Sequence, residues 1–272
     1  MFPTGEGMVL DPYQVGSLRI VLASIVMLPF ALRNIRFLTR KDFLWLLVVG
    51  VCGNLVPATL FTVAETVVDS SLAGMLNMGT SFFVIIIGIV FYKSSPTKYQ
   101  YMGLILGATG LYLILQSQLE LKVGQVGYAL LILFATLLYA TSLTTIKFKL
   151  QHLNAITITS LAFFLILWPA LIAAIYSDAF TTVFNHPDGF RALGFLCILA
   201  IVGTALAVFL FNKLVSIANP IFASGVTYLM PVVAIFMGVL DGDTFKMVNI
   251  FWIILIITGV WLLNNGPKKF SK

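Results

Sequence analysis

The sequence predicts an all-α, polytopic membrane protein of about nine transmembrane helices, and three observations carry that reading. Hydrophobic residues make up 60% of the 272-residue chain and charged residues 10%, against roughly 25% charged in a soluble domain. Mean hydropathy is +1.04, and the apolar residues come in blocks of about 20, the length needed to span a hydrocarbon core of roughly 30 Å. The turns between blocks alternate in charge. One set holds twelve basic residues (Arg33, Arg36, Arg40, Lys41, Lys93, Lys98, Lys147, Lys149, Lys213, Lys268, Lys269, Lys272) and a single acid, Asp42; the other holds nine acids and three basic residues. By the positive-inside rule the first set is cytoplasmic, so the C-terminus lies inside and the N-terminus of this chain outside, in a multi-pass protein of the cell inner (plasma) membrane.

Taken in order, the apolar blocks give helices at 12–32, 43–64, 70–92, 99–116, 125–146, 153–176, 190–212, 219–240 and 247–264. The first contains Arg19, the one basic residue inside a span. A charge there either snorkels to the surface or faces a wet cavity. The second carries Gly53, the intramembrane amide Asn54, and Pro57, which removes a backbone hydrogen bond and acts as a kink or a hinge. The third places Gly74, Asn77, Ser81 and Gly88 on one helical face. The fourth carries Gly103, Gly107 and Gly110 with no polar group on that face, which reads as close helix packing or a homodimer seam. The fifth adds Thr136, Tyr139 and Thr144 to a greasy span. The seventh holds Gly203 and Asn212. In the eighth, Ser224, Thr227, Pro231 and Gly238 repeat the spacing of the third, with Tyr228 beside Thr227.

That recurrence extends further. A shift of 150 residues carries Gly53 onto Gly203, Leu60 onto Leu210, Phe61 onto Phe211, Ala73 onto Ala223 and Gly88 onto Gly238, and a shift one residue shorter carries Gly110 onto Gly259. The chain thus divides into a first repeat at 1–116, with four helices, and a second at 125–266, with five. A repeat with an odd number of helices enters the membrane inverted in its second copy, an architecture of secondary carriers. The unequal counts predict one further helix before Met1.

Several chemistries lack their residues. Cys52 and Cys197 each lie within an apolar block, so a disulfide framework is not expected. His152 and His186 fall in turns on opposite sides of the membrane, and no HExxH or paired-cysteine site occurs, so neither a catalytic centre nor a metal site is expected. No Gly-rich loop opens a helix after a strand, which argues against nucleotide hydrolysis. The net charge of +6 is spread over short turns and gives no nucleic-acid surface. No cofactor is implied.

The stretches YQVGSLRIVLASIVMLPFAL, SSLAGMLNMGTSFFVIIIGIVFYK leading to GLILGATGLYLIL, and NPIFASGVTYLMPVVAIFMGVLDGD leading to IILIITGVWLL resemble the EamA-type family of the drug/metabolite transporter superfamily. The resemblance implies a ten-helix secondary carrier of two five-helix inverted repeats with both termini cytoplasmic, and again a helix before Met1. By position, the family's arginine in this helix falls on Arg19, its second-half proline on Pro231, and its acidic residue on Asp243, shortened from glutamate. In the first half the pattern changes, with Ser81 in the region of the proline and Lys93 in place of the glutamate.

The expectation is a non-enzymatic secondary transporter, an exporter of small polar metabolites or amino acids, working in the lipid bilayer by alternating access. Arg19, Asn54, Asn77, Tyr139, Asn212, Thr227 and Tyr228 are its candidate substrate path. Gly53, Gly88, Gly203, Gly238, Pro57 and Pro231 are its packing or hinge residues. For the amides the alternative is a plain hydrogen bond to a neighbouring helix. For the protein the alternatives are a truncated, non-transporting remnant or membrane scaffold, or a membrane-embedded enzyme.

Overall fold

The computed structural model describes residues 3–4, 7–93, 97–118, 125–217 and 248–265. A short antiparallel pair, β1 (Pro3–Thr4) and β2 (Gly7–Met8), precedes the helices. These are α1 (Pro12–Asn34), α2 (Arg40–Gly50), α3 (Val56–Ala64), α4 (Ser70–Asn77), α5 (Gly79–Tyr92), α6 (Lys98–Gln118), α7 (Gln125–Lys149), α8 (Ala155–Tyr176), α9 (Ala179–Asn185), α10 (Gly189–Ala200), α11 (Ala207–Ile217) and α12 (Val248–Asn265). Among the described residues six helical segments are long and apolar enough to cross a membrane, and α6 and α12 contain shorter apolar stretches. The predicted eighth span, 219–240, lies outside the described residues, and with it Thr227, Tyr228, Pro231 and Gly238.

The helix starts follow local chemistry. Asp11 precedes Pro12 at the head of α1, and its backbone N–H donates to Gln14 Oε1 at 3.0 Å, satisfying a donor that the first helical turn cannot. Thr39 opens α2: its hydroxyl accepts from Asp42 N–H at 3.2 Å and donates to Asp42 Oδ2 at 2.6 Å. Asp42, the lone acid among the twelve basic turn residues, is therefore a first-turn residue of α2, where negative charge complements the helix dipole. Its Oδ2 also lies 3.2 Å from His152 Nε2. Asn154 opens α8 by accepting from Thr157 N–H at 2.9 Å.

Three elements depart from the predicted pattern. The third span, one spanning segment over Leu72–Tyr92, is interrupted by a single turn residue, Met78, between α4 and α5. Thr80 Oγ1 donates to the Asn77 carbonyl at 2.9 Å, competing with the helical ladder, and Gly79 follows the break. The turn after α8 contains a short helix, α9, tied back by Gln14 Nε2, which donates to Ser177 O at 2.7 Å and Thr182 Oγ1 at 3.0 Å. Gly189 is required at the end of that turn, since a Cβ there would run into the Val183 carbonyl. Finally, α11 continues to Ile217, so Lys213 lies within a helix rather than in a turn; it is exposed, and a lysine stem can run along a helix to polar surroundings.

The chain forms two compact units that do not follow the order of the sequence. The first comprises residues 1–63 and 145–217; the second comprises 64–144 and 218–272. In the first unit α1 lies along α8, with α10 against α1 and α11 against α8. Its core holds Ile20, Ala23, Phe163, Ile166 and Ala170, all fully buried. Glycine sets the spacing of α2 from α8: a Cβ on Gly50 would lie 2.6 Å from Ile166 Cγ2 and 2.8 Å from Ala162 O.

In the second unit the dominant packing is α6 against α12. A Cβ on Gly259 would lie 2.7 Å from Gly107 N and 2.8 Å from Gly103 O, and one on Gly110 would lie 2.7 Å from Ile256 Cγ1 and 3.2 Å from Trp252 O. A shift of 149 residues carries Gly103, Gly107 and Gly110 onto Trp252, Ile256 and Gly259. Each glycine therefore sits on the pair of positions that corresponds to the pair facing its mate. The GxxxG face of α6 is occupied by a helix of the same chain, and small residues there permit backbone contact.

Candidate functional site

Two helices of the first unit change their winding at matching positions. Between α2 and α3, Val51–Leu55 forms a π-turn, and between α10 and α11, Ile201–Leu206 forms another. The 150-residue shift superposes them, pairing Gly53 with Gly203, Asn54 with Thr204 and Pro57 with Ala207. Such turns widen a helix by one residue and leave its carbonyls less regularly paired.

Their causes differ. Pro57 has no N–H to give the carbonyl four residues back, and its ring crowds that carbonyl, so a wider turn relieves the strain. Consistent with this, Val56 N–H bonds Val51 O, five residues back. Ala207 has no such constraint, and the second π-turn is instead held by side chains. Thr204 Oγ1 donates to Leu199 O at 3.1 Å, again five residues back. Because the hydroxyl's one proton is spent there, its oxygen is left as an acceptor. Arg19 Nε fills it at 2.6 Å, and Arg19 NH2 makes a longer contact, 3.5 Å, to Gly203 O. Arg19 is partly buried on α1, seven residues from the helix start, or roughly 10 Å along the axis.

Of the residues singled out from sequence, the structure brings together Arg19 and Gly203 in one cluster, and places Gly53 and Asn54 in the other π-turn with Pro57 in the first turn of α3 just after it. Asn54 and Pro57 are buried. Asn212, 4% exposed, donates from Nδ2 to Thr159 Oγ1 at 2.9 Å, tying α11 to α8. Asn77 is buried at the α4–α5 break, Gly88 is buried on α5, and Tyr139 is half-buried on α7; all three belong to the second unit. Thr204 was missed from sequence. Its signal was available, since it is the repeat mate of Asn54, but a threonine in an apolar span stands out less than an amide.

Apolar helices of spanning length, two of them interrupted by π-turns at repeat-related positions, define a polytopic α-helical membrane protein of the transporter type. The profile of the EamA-like transporter family matches residues 6–116 and 126–265, and the chain belongs to that family. No curated protein matches the sequence. A solved crystal structure, 13% identical, matches with a TM-score of 0.60 over 93% of this chain and 88% of its own; at that identity the likeness is one of fold.

Proposed function

We propose that the protein is a secondary carrier that exports small polar metabolites or amino acids across the cell inner (plasma) membrane by alternating access between two inverted repeats, 1–116 and 125–266. The observation that carries this reading is the pair of π-turns at positions related by the repeat, within a chain of the EamA-like transporter family. Discontinuous helices supply polar backbone at membrane depth, which is where carriers bind solutes, and repeat-related breaks suit a machine whose two halves exchange roles. The charge alternation of the turns supports a cytoplasmic C-terminus and an external N-terminus. With no nucleotide-binding loop in the sequence, the energy would come from an ion gradient or an exchanged solute, and no enzymatic step is needed.

Reconstitution into liposomes tests the reading. Vesicles containing the chain should exchange a preloaded, labelled amino acid or small metabolite against its unlabelled form faster than empty vesicles. If a broad panel of such solutes moved no faster than through protein-free vesicles, the carrier assignment would be abandoned in favour of a scaffold.

A further inference from the structure

We propose that Arg19 is an anion-recognition group, and that the solute handled by this protein carries a carboxylate which the Arg19 guanidinium receives. The inference rests on the carrier reading and adds to it the chemistry of the solute. Its basis is an imbalance of charge. A guanidinium keeps its charge at any physiological pH, and such a charge within a span is costly unless an opposite charge or water meets it. Among the described residues the partners of Arg19 are neutral, the Thr204 hydroxyl and the Gly203 carbonyl. Among the described residues no acidic side chain forms an ion pair with it.

The geometry also leaves the group ready to bind. A guanidinium has five N–H donors. Nε is engaged with Thr204, and one donor of NH2 reaches Gly203 at 3.5 Å, a weak contact. Among the described residues the NH1 pair and the second NH2 donor meet no partner. The planar fork of guanidinium donors matches the two oxygens of a carboxylate. Thr204 cannot easily turn away, because its proton is committed to Leu199 O, so the edge it grips is fixed and the opposite edge is presented in one orientation. An arginine that only snorkelled would need no such anchor on a second helix. The π-turn contributes both anchoring atoms, which links occupation of Arg19 to the winding of the α10–α11 helix.

The test reads occupancy and transport separately. The full chain is embedded in phosphatidylcholine nanodiscs and treated with the arginine reagent phenylglyoxal, and adducts are located by peptide mass spectrometry. Exposed Arg191 serves as the internal reference. The probes are L-phenylalanine, L-threonine and succinate, each beside its amide. At least one acid should slow adduct formation at Arg19 by about fivefold when present at several times its dissociation constant, while its amide and the Arg191 rate do nothing. Protection by an acid that reconstituted vesicles fail to carry would keep the anion site and remove the carrier reading. Conversely, carriage of these acids without protection at Arg19 would keep the carrier and overturn the anion site. Equal protection by acid and amide, or no adduct at Arg19 under any condition, would also overturn it. So would a bilayer in which Arg19 is shielded relative to detergent whatever solute is added, because the occupant would then be a lipid phosphate.

Discussion

The π-turns at Val51–Leu55 and Ile201–Leu206 occupy the same place in the two repeats and have different origins. In the first, the cause is covalent: Pro57 cannot complete the ladder. In the second, Ala207 could complete it, and the wider turn is held by Thr204 and by an arginine 185 residues away in sequence. A break written into the backbone persists whatever its neighbours do. One that depends on a long-range side-chain contact can be released when that contact changes. The second π-turn is therefore the responsive member of the pair, and the comparison can be broken at three positions.

The largest effect is expected from Thr204→Val. It leaves Arg19 Nε without its acceptor and frees Leu199 O, and loss of a hydrogen bond to a charged group inside a protein should cost about 2–3 kcal/mol. Thermal unfolding in nanodiscs should show a clear drop in midpoint, restored by Thr204→Ser; an unchanged midpoint would mean that Thr204 does not hold the turn. Ala207→Pro should be milder. In a regular helix proline costs about 3 kcal/mol or more, but here the turn is already widened, and the substitution removes the Ala207 N–H contacts to Val202 O and Thr204 O. A loss of about 1 kcal/mol is expected from these contacts, and the full helical penalty would show that the two π-turns are not equivalent. The smallest change belongs to Pro57→Ala. With an N–H restored at 57 the first turn can close to an α-helix, changing stability by about 1 kcal/mol or less. Hydrogen exchange should then find residue 57 protected; a fast-exchanging amide there would show that something besides the proline maintains the turn.

The glycine crossing in the second unit offers the contrary case. There Gly110 and Gly259 are repeat mates that meet repeat-related backbone by the same means. Close approach of two helices tolerates little substitution, whereas helix winding can be set from the backbone or from a side chain. The two halves could therefore diverge in what sets the winding of the π-turns while both keep the glycine at the crossing, Gly110 and Gly259.

Hydropathy located the helices well: 12–32 became Pro12–Asn34, 125–146 became Gln125–Lys149 and 153–176 became Ala155–Tyr176. Those limits follow from the change between apolar and charged residues, which is local and visible in a row of letters. The winding within a helix is not. Val51–Leu55 and Ile201–Leu206 each hold a glycine and one polar residue, Asn54 or Thr204, but such residues occur in regular helices too, and only Pro57, which cannot complete the ladder, gave warning of a change in winding. The interruption at Met78 was hidden for a similar reason, because it depends on which carbonyl the Thr80 hydroxyl chooses.

By itself the sequence determined the membrane class, the family, the helix limits and the repeat, because each is a pattern of residue type along the chain. It also marked Arg19 as out of place in a span, since the cost of a charge in hydrocarbon depends on little else. What answers that charge was decided by tertiary structure. The oxygens of Gly203 and Thr204 reach Arg19 because α10 and the π-turn that follows it pack beside α1. Likewise the glycines of α6 announced a close contact, while only the folded chain supplied α12 as the partner. Spacing along a sequence records which groups need a neighbour, and packing between distant segments settles which neighbour they find.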